Sequence, residues 1–252
     1  MSAVRLELFG RVAAWDGPAE VPLGPARQRA VLGLIALGGG RPVRVAELVD
    51  TLWPADPPRC ARNVVHTYVR RLRRALEPDR VRWTPSAVLP SVPGTDAYAL
   101  GLGDRDVDVW LFRHLVREAR AARTAGPGDP GRVLELCARA LDLCRAPVLA
   151  ELAHCPAVAG LDADRQLVLG WYAAAAIAAG TPGEALALVE RDARDRPLDE
   201  GAQARLIGVL HALGQRAAGV AVYRRARVAL RRELGVAPGD LLEDARLLLT
   251  RC

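Results

Sequence analysis

The segment from Asp56 to Glu77, DPPRCARNVVHTYVRRLRRALE, constrains the fold of this chain more than any other. Asp56 is a suitable N-cap, and Pro57 fits the first helical position because its missing N–H costs nothing there. Apolar residues then recur at helical spacing and form one narrow stripe: Ala61, Val65, Val69, Leu72 and Leu76. We therefore predict a helix that buries one face in a core.

The opposite face of this predicted helix is polar and basic. Helical geometry points four side chains away from the stripe and places two more beside them: Asn63, Thr67, Arg70 and Arg74, flanked by His66 and Arg71. Six arginines and no acid lie between Pro58 and Leu76, so the helix cannot pair its charges internally. Such a face either lies in water or contacts phosphate, and taken alone the pattern favours neither.

Composition bounds the class of protein and its partners. The 252 residues are 51% hydrophobic and 25% charged, which suits one large or two ordinary globular domains. All 35 basic residues are arginine, so part of the enrichment reflects GC-rich coding sequence. Residues 1–104 carry 14 arginines against 10 acids, a larger excess than in residues 105–252. The N-terminal part is therefore the better candidate for a nucleic-acid module.

The residues around the basic helix predict a small mixed domain. Alternation and turn residues indicate strands at 4–9, 12–15 and 20–23. A helix follows from Gly24-Pro25 to Gly38-Gly39-Gly40, and a shorter one runs from Val45 to Trp53. After the basic helix, residues 81–84 and 98–102 are predicted to pair as a hairpin. This order is typical of a helix-turn-helix followed by a wing.

From Asp106 the chain changes to successive helices, predicted at 106–123, 132–143, 161–179, 183–195, 199–213, 216–234 and 238–250, with an irregular segment at 145–160. Gly180 and Gly214 lie 34 residues apart, which is the tetratricopeptide (TPR) period, and small residues follow each of them at Ala185 and Gly219. Residues 121–143 form a third, diverged unit. An ordinary helical bundle is the alternative.

Several of these segments resemble a known family. LGPARQRAVLGLIAL, GRPVRVAELVDTLWP and ARNVVHTYVRRLRRALEP resemble the OmpR-type winged helix-turn-helix, and more narrowly the SARP family of actinomycete antibiotic regulatory proteins. Leu52-Trp53-Pro54 and the run from Tyr68 to Leu76 are the most specific pieces. The helical part, above all YRRARVALRRELGVAPGDLLEDARLLL, resembles the family's bacterial transcriptional activation domain.

The resemblance implies a mainly α fold with small β-sheets. Residues 1–104 would form the winged helix-turn-helix and residues 105–252 an all-α TPR-like domain. It implies an activator of a secondary-metabolite gene cluster that binds tandem direct repeats in double-stranded promoter DNA. It also implies a homodimer on DNA and contact with RNA polymerase or its sigma subunit. We expect no cofactor and a cytoplasmic, nucleoid-associated protein.

The expected DNA contacts follow from side-chain chemistry and position. The predicted base-reading residues are Asn63, His66, Thr67 and Arg70. The predicted phosphate contacts are Arg27, Arg62, Arg71, Arg73, Arg74, Arg80 and Arg82. Arg62 and Arg73 lie nearer the buried stripe, so structural ion pairs are equally compatible with them. No arginine lies between Trp83 and Asp104, so wing contacts are expected only from its base, at Arg80 and Arg82.

Two further departures from the family pattern bear on stability. Arg44 stands where Ser or Thr usually caps the second helix, and such a cap contributes roughly 1 kcal/mol. Ala97 replaces the usual glycine before Tyr98. The arginine-poor wing and the uncapped second helix support the alternative function: a TPR-type interaction protein that binds a peptide or effector, with weak or lost DNA binding.

Catalytic and metal sites find little support. The four histidines fall in no metalloprotease or zinc-finger spacing. Glu151, His154 and Cys155 could form a metal corner, but we expect a loop packed on the repeats. Without lysine there is no P-loop, and Gly38-Gly39-Gly40 ends a helix where a phosphate cradle would begin one. The longest apolar stretches, such as Trp171 to Ala179, are too short to span a bilayer. We predict no enzyme, no metal and no membrane segment.

Overall fold

A computed structural model describes residues 4–124, 129–144 and 155–250. It is mainly helical, with two small sheets. Chain contacts divide it into two compact units. Of the described residues, the first unit contains 4–117, 140–144 and 155–165, and the second contains 118–124, 129–139 and 166–250. The predicted boundary between residues 104 and 105 stays a prediction.

The first unit begins with an antiparallel three-stranded sheet in the order β1-β2-β3, formed by β1 Val4–Glu7, β2 Ala13–Asp16 and β3 Ala19–Val21. Val4 and Leu6 are buried while Arg5 and Glu7 are exposed, as the alternation predicted. The turn between β2 and β3 contains Gly17 in the left-handed region, with φ 58°.

Three helices form the core of the first unit. They are α1 Ala26–Leu37, α2 Val45–Leu52 and α3 Ala61–Leu76. Every residue of α1 from Ala30 to Leu37 is buried. Between α1 and α2, β4 Val43–Arg44 pairs antiparallel with β5 Ala97–Tyr98. Arg44 occupies the N-cap of α2 without a side-chain cap, as its chemistry predicted.

The predicted start of α3 is wrong. Asp56 does not cap this helix, since α3 begins at Ala61 with Cys60 at the N-cap and no side-chain cap. The physical reason is the pair Pro57-Pro58, because a residue before proline is driven out of the helical region. A turn then closes between the Ala61 N–H and the Pro58 carbonyl at 2.8 Å, and the helix starts behind it.

The predicted hairpin is also wrong in its first strand. Residues 81–84 form a turn in which the Thr84 N–H donates to the Val81 carbonyl at 3.2 Å. The segment opposite residues 97–101 is 88–92, as shown by hydrogen bonds from Ala99 N to Pro90 O and from Gly101 N to Val88 O. Here "wing" means residues 86–102. The apolar residues Val81 and Trp83 suggested a strand, but both are exposed.

Helix α4, Asp108–Thr124, is joined to the first sheet at its start. The Leu6 N–H donates to the Asp106 carbonyl at 2.7 Å. The Asp108 carboxylate accepts the N–H groups of Leu8 and Phe9 at 2.8 and 3.0 Å. Burial raises the pKa of Asp108 to about 6, against the opposing effect of these hydrogen bonds. This connection fixes where the helical part of the chain departs from the sheet.

The remaining helices are α5 Pro130–Leu143, α6 Pro156–Ala178, α7 Gly183–Asp195, α8 Glu200–Ala212, α9 Arg216–Ala229 and α10 Asp240–Thr250. A π-helical turn, Leu230–Leu234, follows α9 within the segment predicted as one helix. The predicted irregular segment 145–160 is wrong at its end, where α6 begins at Pro156, a residue well suited to a first helical turn. Residues 145–154, with Glu151 and His154, lie outside the described residues.

The predicted repeat lies at α6 to α9, of which the part from Gln166 onward belongs to the second unit. Gly180 and Gly214 both adopt left-handed backbone, with φ 77° and 71°. Each is followed by the same hydrogen bond, from Thr181 N to Ala176 O and from Gln215 N to Leu210 O. These are glycine C-caps of one type at equivalent positions. The membership of residues 121–143 in a third unit stays a prediction.

A partly buried polar cluster joins three helices of the second unit. The Arg205 guanidinium donates to the Gln166 side-chain carbonyl and to the Asp192 carboxylate, both at 2.7 Å. Gln166 donates in turn to Asp192 at 2.9 Å. Since α6, α7 and α8 each supply one member, the cluster fixes their register.

The close approach of the wing strands depends on Gly101. A Cβ at this position would lie 2.1 Å from the Ala87 carbonyl oxygen, a backbone atom that cannot move aside alone. Gly101→Ala should therefore lower the free energy of unfolding by about 1–3 kcal/mol. Gly160→Ala is the control in the same unit, because its Cβ would meet nothing within 4 Å. Denaturant unfolding of both variants checks this, and equal stability of the two would contradict it.

Candidate nucleic-acid interface

The apolar stripe of α3 is fully buried, as predicted. Ala61, Val65, Val69, Leu72 and Leu76 are each at most 4% exposed. Their burial fixes the rotation of the helix about its axis, because turning it would expose these five side chains to water. The polar residues predicted from the same periodicity must therefore lie elsewhere on the helix, either at the surface or against the wing.

One group of the predicted residues lies at the surface of α3. Asn63, Arg70, Arg71 and Arg74 are exposed, and Thr67 is partly exposed. Over the described ranges, no carboxylate forms an ion pair with Arg70, Arg71 or Arg74. The structure thus brings together three guanidinium groups and two short polar side chains on one helix face. This arrangement can donate to phosphate oxygens and to base edges.

A second group contacts the wing instead. The Arg73 guanidinium donates from Nε and Nη2 to the Leu89 carbonyl at 2.8 and 2.6 Å, and from Nη2 to Ser91 Oγ at 2.8 Å. It also lies over the Tyr98 ring, 5.3 Å from the centroid. Burial lowers the pKa of Arg73, and the Tyr98 hydroxyl partly offsets this. The contacts of Arg73 are those of a residue that positions the wing.

Arg62 and His66 also face the wing. Arg62 pairs with the Asp96 carboxylate. His66 Nδ1 lies 2.7 Å from the Tyr98 hydroxyl, and its Nε2 lies 3.7 Å from Asp96 Oδ1. Burial raises the pKa of Tyr98, so its hydroxyl stays protonated, and the direction of this hydrogen bond follows the tautomer of the imidazole. The sequence was compatible with either a phosphate contact or a structural ion pair for Arg62, and the structure contains the ion pair, with Asp96.

The end of α3 is held to the wing by Glu77. Its carboxylate accepts from the Ser86 hydroxyl, from the Ala87 N–H at 2.7 Å and from the Val88 N–H at 3.3 Å. Nothing in the sequence pattern had pointed to this residue. Its position directly after a basic helix and before a proline suggests only a helix end.

The remaining predicted phosphate contacts lie outside α3. Arg27 is exposed on α1 and lies 5.7 Å from the Trp53 ring centroid. Arg80 donates to the Thr84 carbonyl at 2.6 Å and so closes the turn at 81–84. Arg82 is exposed in that turn. Arg80 Nε also lies 3.9 Å from the carboxylate of Glu77, directly after α3, whereas Arg27 and Arg82 form no hydrogen bond or ion pair with α3 among the described residues.

Trp83 is a residue that sequence reasoning missed. It is 96% exposed, and it has φ 71° in the left-handed region that bulky residues avoid. Both features are costly, so they mark a candidate contact residue beside Arg82. The sequence did not indicate an exposed turn residue here, because a tryptophan within VRWT favours a strand.

Over the described ranges, no group of three His, Cys, Asp or Glu side chains could hold a metal ion, and no helix could cross a bilayer. The buried thiols are unreactive in character, because burial raises the pKa of Cys137 to about 11 and that of Cys144 to about 12.

Comparison with known proteins identifies both parts of the chain. Residues 107–247 match the family model of the bacterial transcriptional activator domain. Residues 19–85, which include α1 to α3, match that of the C-terminal domain of transcriptional regulatory proteins. The first match covers more than half of the chain.

Individual relatives agree with these matches. The transcriptional regulator RedD of Streptomyces coelicolor is 30% identical over 95% of this chain and 68% of its own length. The regulatory protein AfsR of the same organism is 33% identical over 96% of this chain but only 24% of its own length. A solved structure of Mycobacterium tuberculosis EmbR, in complex with a low-affinity phosphopeptide, is 27% identical with a TM-score of 0.83. That comparison covers all of this chain and 66% of the EmbR chain.

The matched families contain transcriptional regulators, not enzymes, and a winged helix of this type implies DNA binding. The basic surface of α3 agrees with that role. With both domains matched and RedD and AfsR among its relatives, the chain belongs to the SARP family of transcriptional activators.

Proposed function

We propose that this chain activates transcription from a promoter with tandem direct repeats, with the exposed face of α3 in the major groove. The observation that carries the proposal is the set of exposed arginines on α3, opposite a fully buried stripe. Without a carboxylate partner in the described residues, these charges are available to neutralise phosphates. A helix held by its own core on one side presents a rigid face to a groove.

The side chains divide by role in this proposal. Asn63, Thr67 and Arg70 read base edges, because amide, hydroxyl and guanidinium groups match their donors and acceptors. Arg71 and Arg74 bind phosphates and set the position of the helix. Contacts by Arg27, Arg80 and Arg82 to the backbone belong to the same proposal. His66, Arg62 and Arg73 act mainly by fixing the wing, since each already has a partner there.

The wider assembly follows from the geometry of direct repeats. Two copies would bind head to tail, with half-sites separated by whole turns of about 10–10.5 bp, so that both α3 helices meet one side of the duplex. The helical domain, residues 105–252, would then contact RNA polymerase or its sigma subunit. The regulated genes would be a secondary-metabolite cluster, and the protein would act at the nucleoid without a cofactor.

Binding of a peptide or effector by the helical domain is a second candidate function. A groove of about 550 Å³ in the second unit supports it, lined by residues of α7, α8 and α9 that include Glu190, Arg194, Leu210 and Arg225. A purely adaptor role would leave promoter DNA unprotected in footprinting.

Base reading by α3 is testable with Thr67→Ala and Arg70→Ala. Each should reduce the preference for the promoter over an unrelated duplex, because a base contact contributes about 1–3 kcal/mol of discrimination. Competitive gel shifts with both duplexes measure the ratio. Arg5→Ala, which removes an exposed arginine on β1, is the control. An unchanged ratio in both α3 variants would reject the assignment.

Replacing the neighbouring residues Arg74 and Arg73 should affect two different properties, DNA binding and stability. Arg74→Ala should weaken binding to all duplexes alike and reduce the salt slope by about one, with stability preserved. Arg73→Ala should instead lower the free energy of unfolding by about 1–3 kcal/mol, because it removes three hydrogen bonds to the wing. Salt-dependent gel shifts and denaturant unfolding of both variants check this. Identical profiles for the two would contradict the division of roles.

Helical phasing tests the activation mechanism. Inserting about 5 bp between the promoter repeats turns one half-site to the opposite side of the duplex, so transcription by RNA polymerase should fall to its level without the protein. An insertion of about 10 bp should restore part of the activation. In vitro transcription with the full chain measures both. Equal activation at every spacing would exclude a head-to-tail dimer on one face.

A further inference from the structure

A small cleft in the first unit lies beside the C-terminal end of α1 and the start of α4. Its volume is about 250 Å³. Three arginines line it, Arg41, Arg113 and Arg117, and Asp104 is the carboxylate among its lining residues. It is remote in sequence from the arginines of α3, and the proposed function leaves it without a role.

Two of these arginines also donate hydrogen bonds to carbonyl groups at the C-terminal end of α1. Arg113 Nη1 donates to the Leu37 carbonyl at 3.2 Å, and Arg41 Nε donates to the Gly38 carbonyl at 3.4 Å. A helix C-terminus carries only about half a negative charge. Two guanidinium groups therefore exceed what capping requires, and each keeps further N–H donors.

Arg117 is not explained by capping. It lies one turn after Arg113 on α4 and is exposed. No hydrogen bond or ion pair of Arg117 is formed with the residues that the structure describes. Burial is the main cause of the lowered pKa of Arg113, and the Asp164 carboxylate opposes it. The nearby charges of Arg41 and Arg117 lower this pKa further.

The walls of the cleft are fixed and uncrowded. The Trp110 indole N–H donates to the Ala36 carbonyl at 2.7 Å, which holds the ring in place. Gly39 and Gly40 have φ 65° and 80°, in the left-handed region that favours glycine. Because glycine has no side chain, this turn leaves the cleft unfilled. A Cβ at Gly39 would already lie 3.8 Å from the Arg113 guanidinium. The two glycines and the held indole ring therefore leave the space beside the three arginines open.

We propose that this cleft binds the phosphate group of a small soluble ligand. Among the lining residues, three arginines against one aspartate leave two positive charges, and Asp164, outside the lining, offsets part of the charge of Arg113. The remaining positive charge suits a phosphate of about −1.5 to −2 at pH 7. Guanidinium forks also fit the tetrahedral oxygens of phosphate. The volume equals that of about eight waters at ~30 Å³ each, which is room for one or two phosphate groups. The ligand would contact the first turns of α4.

Calorimetric titration of the full chain with inorganic pyrophosphate tests the proposal. Saturable binding of one pyrophosphate per chain is expected. Arg117→Ala should weaken it by at least about tenfold, because a charge-assisted contact is lost. This variant should fold normally, since Arg117 supports no other described residue, and circular dichroism confirms that. Arg5→Ala removes the same charge from the same unit outside the cleft and should bind like the wild type.

Three outcomes would overturn the proposal. The first is no saturable binding by the wild type at millimolar pyrophosphate. The second is equal weakening in Arg5→Ala, which would indicate only a general attraction of anions. The third is loss of promoter affinity by Arg117→Ala in gel shifts without any pyrophosphate binding, which would assign the cleft to a phosphate of the duplex. None of these results depends on whether α3 reads bases.

Discussion

Burial of the α3 stripe is the constraint on which the rest of the DNA-binding unit depends. Five apolar side chains, one or two per turn, enter the core between α1 and α2, and all are nearly inaccessible to solvent. Their burial contributes on the order of 1–3 kcal/mol each, so any rotation of α3 that exposed them would be prohibitive. Every arginine of the helix is then directed away from the core by geometry alone.

The wing determines which arginines of α3 form contacts within the domain and which stay exposed. Tyr98, Asp96 and the carbonyl of Leu89 approach one flank of α3 and engage His66, Arg62 and Arg73. Arg70, Arg71 and Arg74 lie beyond their reach and stay exposed. A helix with uniform charge in the sequence thus has two chemically different flanks in the structure. One flank organises the domain, and the other is available for recognition.

The order of elements, the buried stripe and the repeat glycines could all be predicted, because each depends on local spacing. The two flanks of α3 could not, since they depend on residues more than 15 positions away, such as Leu89 and Asp96. In two segments, one local sequence preference opposed another feature of the same segment. Asp56 had the chemistry of a cap, but the two prolines after it delayed the helix. Val81 and Trp83 had strand propensity, but the hydrogen bonds of Thr84 and Arg80 close a turn around them.

The exclusive use of arginine on α3 has a consequence for how this surface can be regulated. A guanidinium keeps its proton throughout the range of pH in which proteins stay folded, and it offers no amine for acetylation. No carboxylate of the described residues forms an ion pair with Arg70, Arg71 or Arg74, so their counter-charges must come from outside the chain or from solvent ions. Ionic strength and competing polyanions should therefore weaken anion binding at this face, and acetylation has no lysine to act on there.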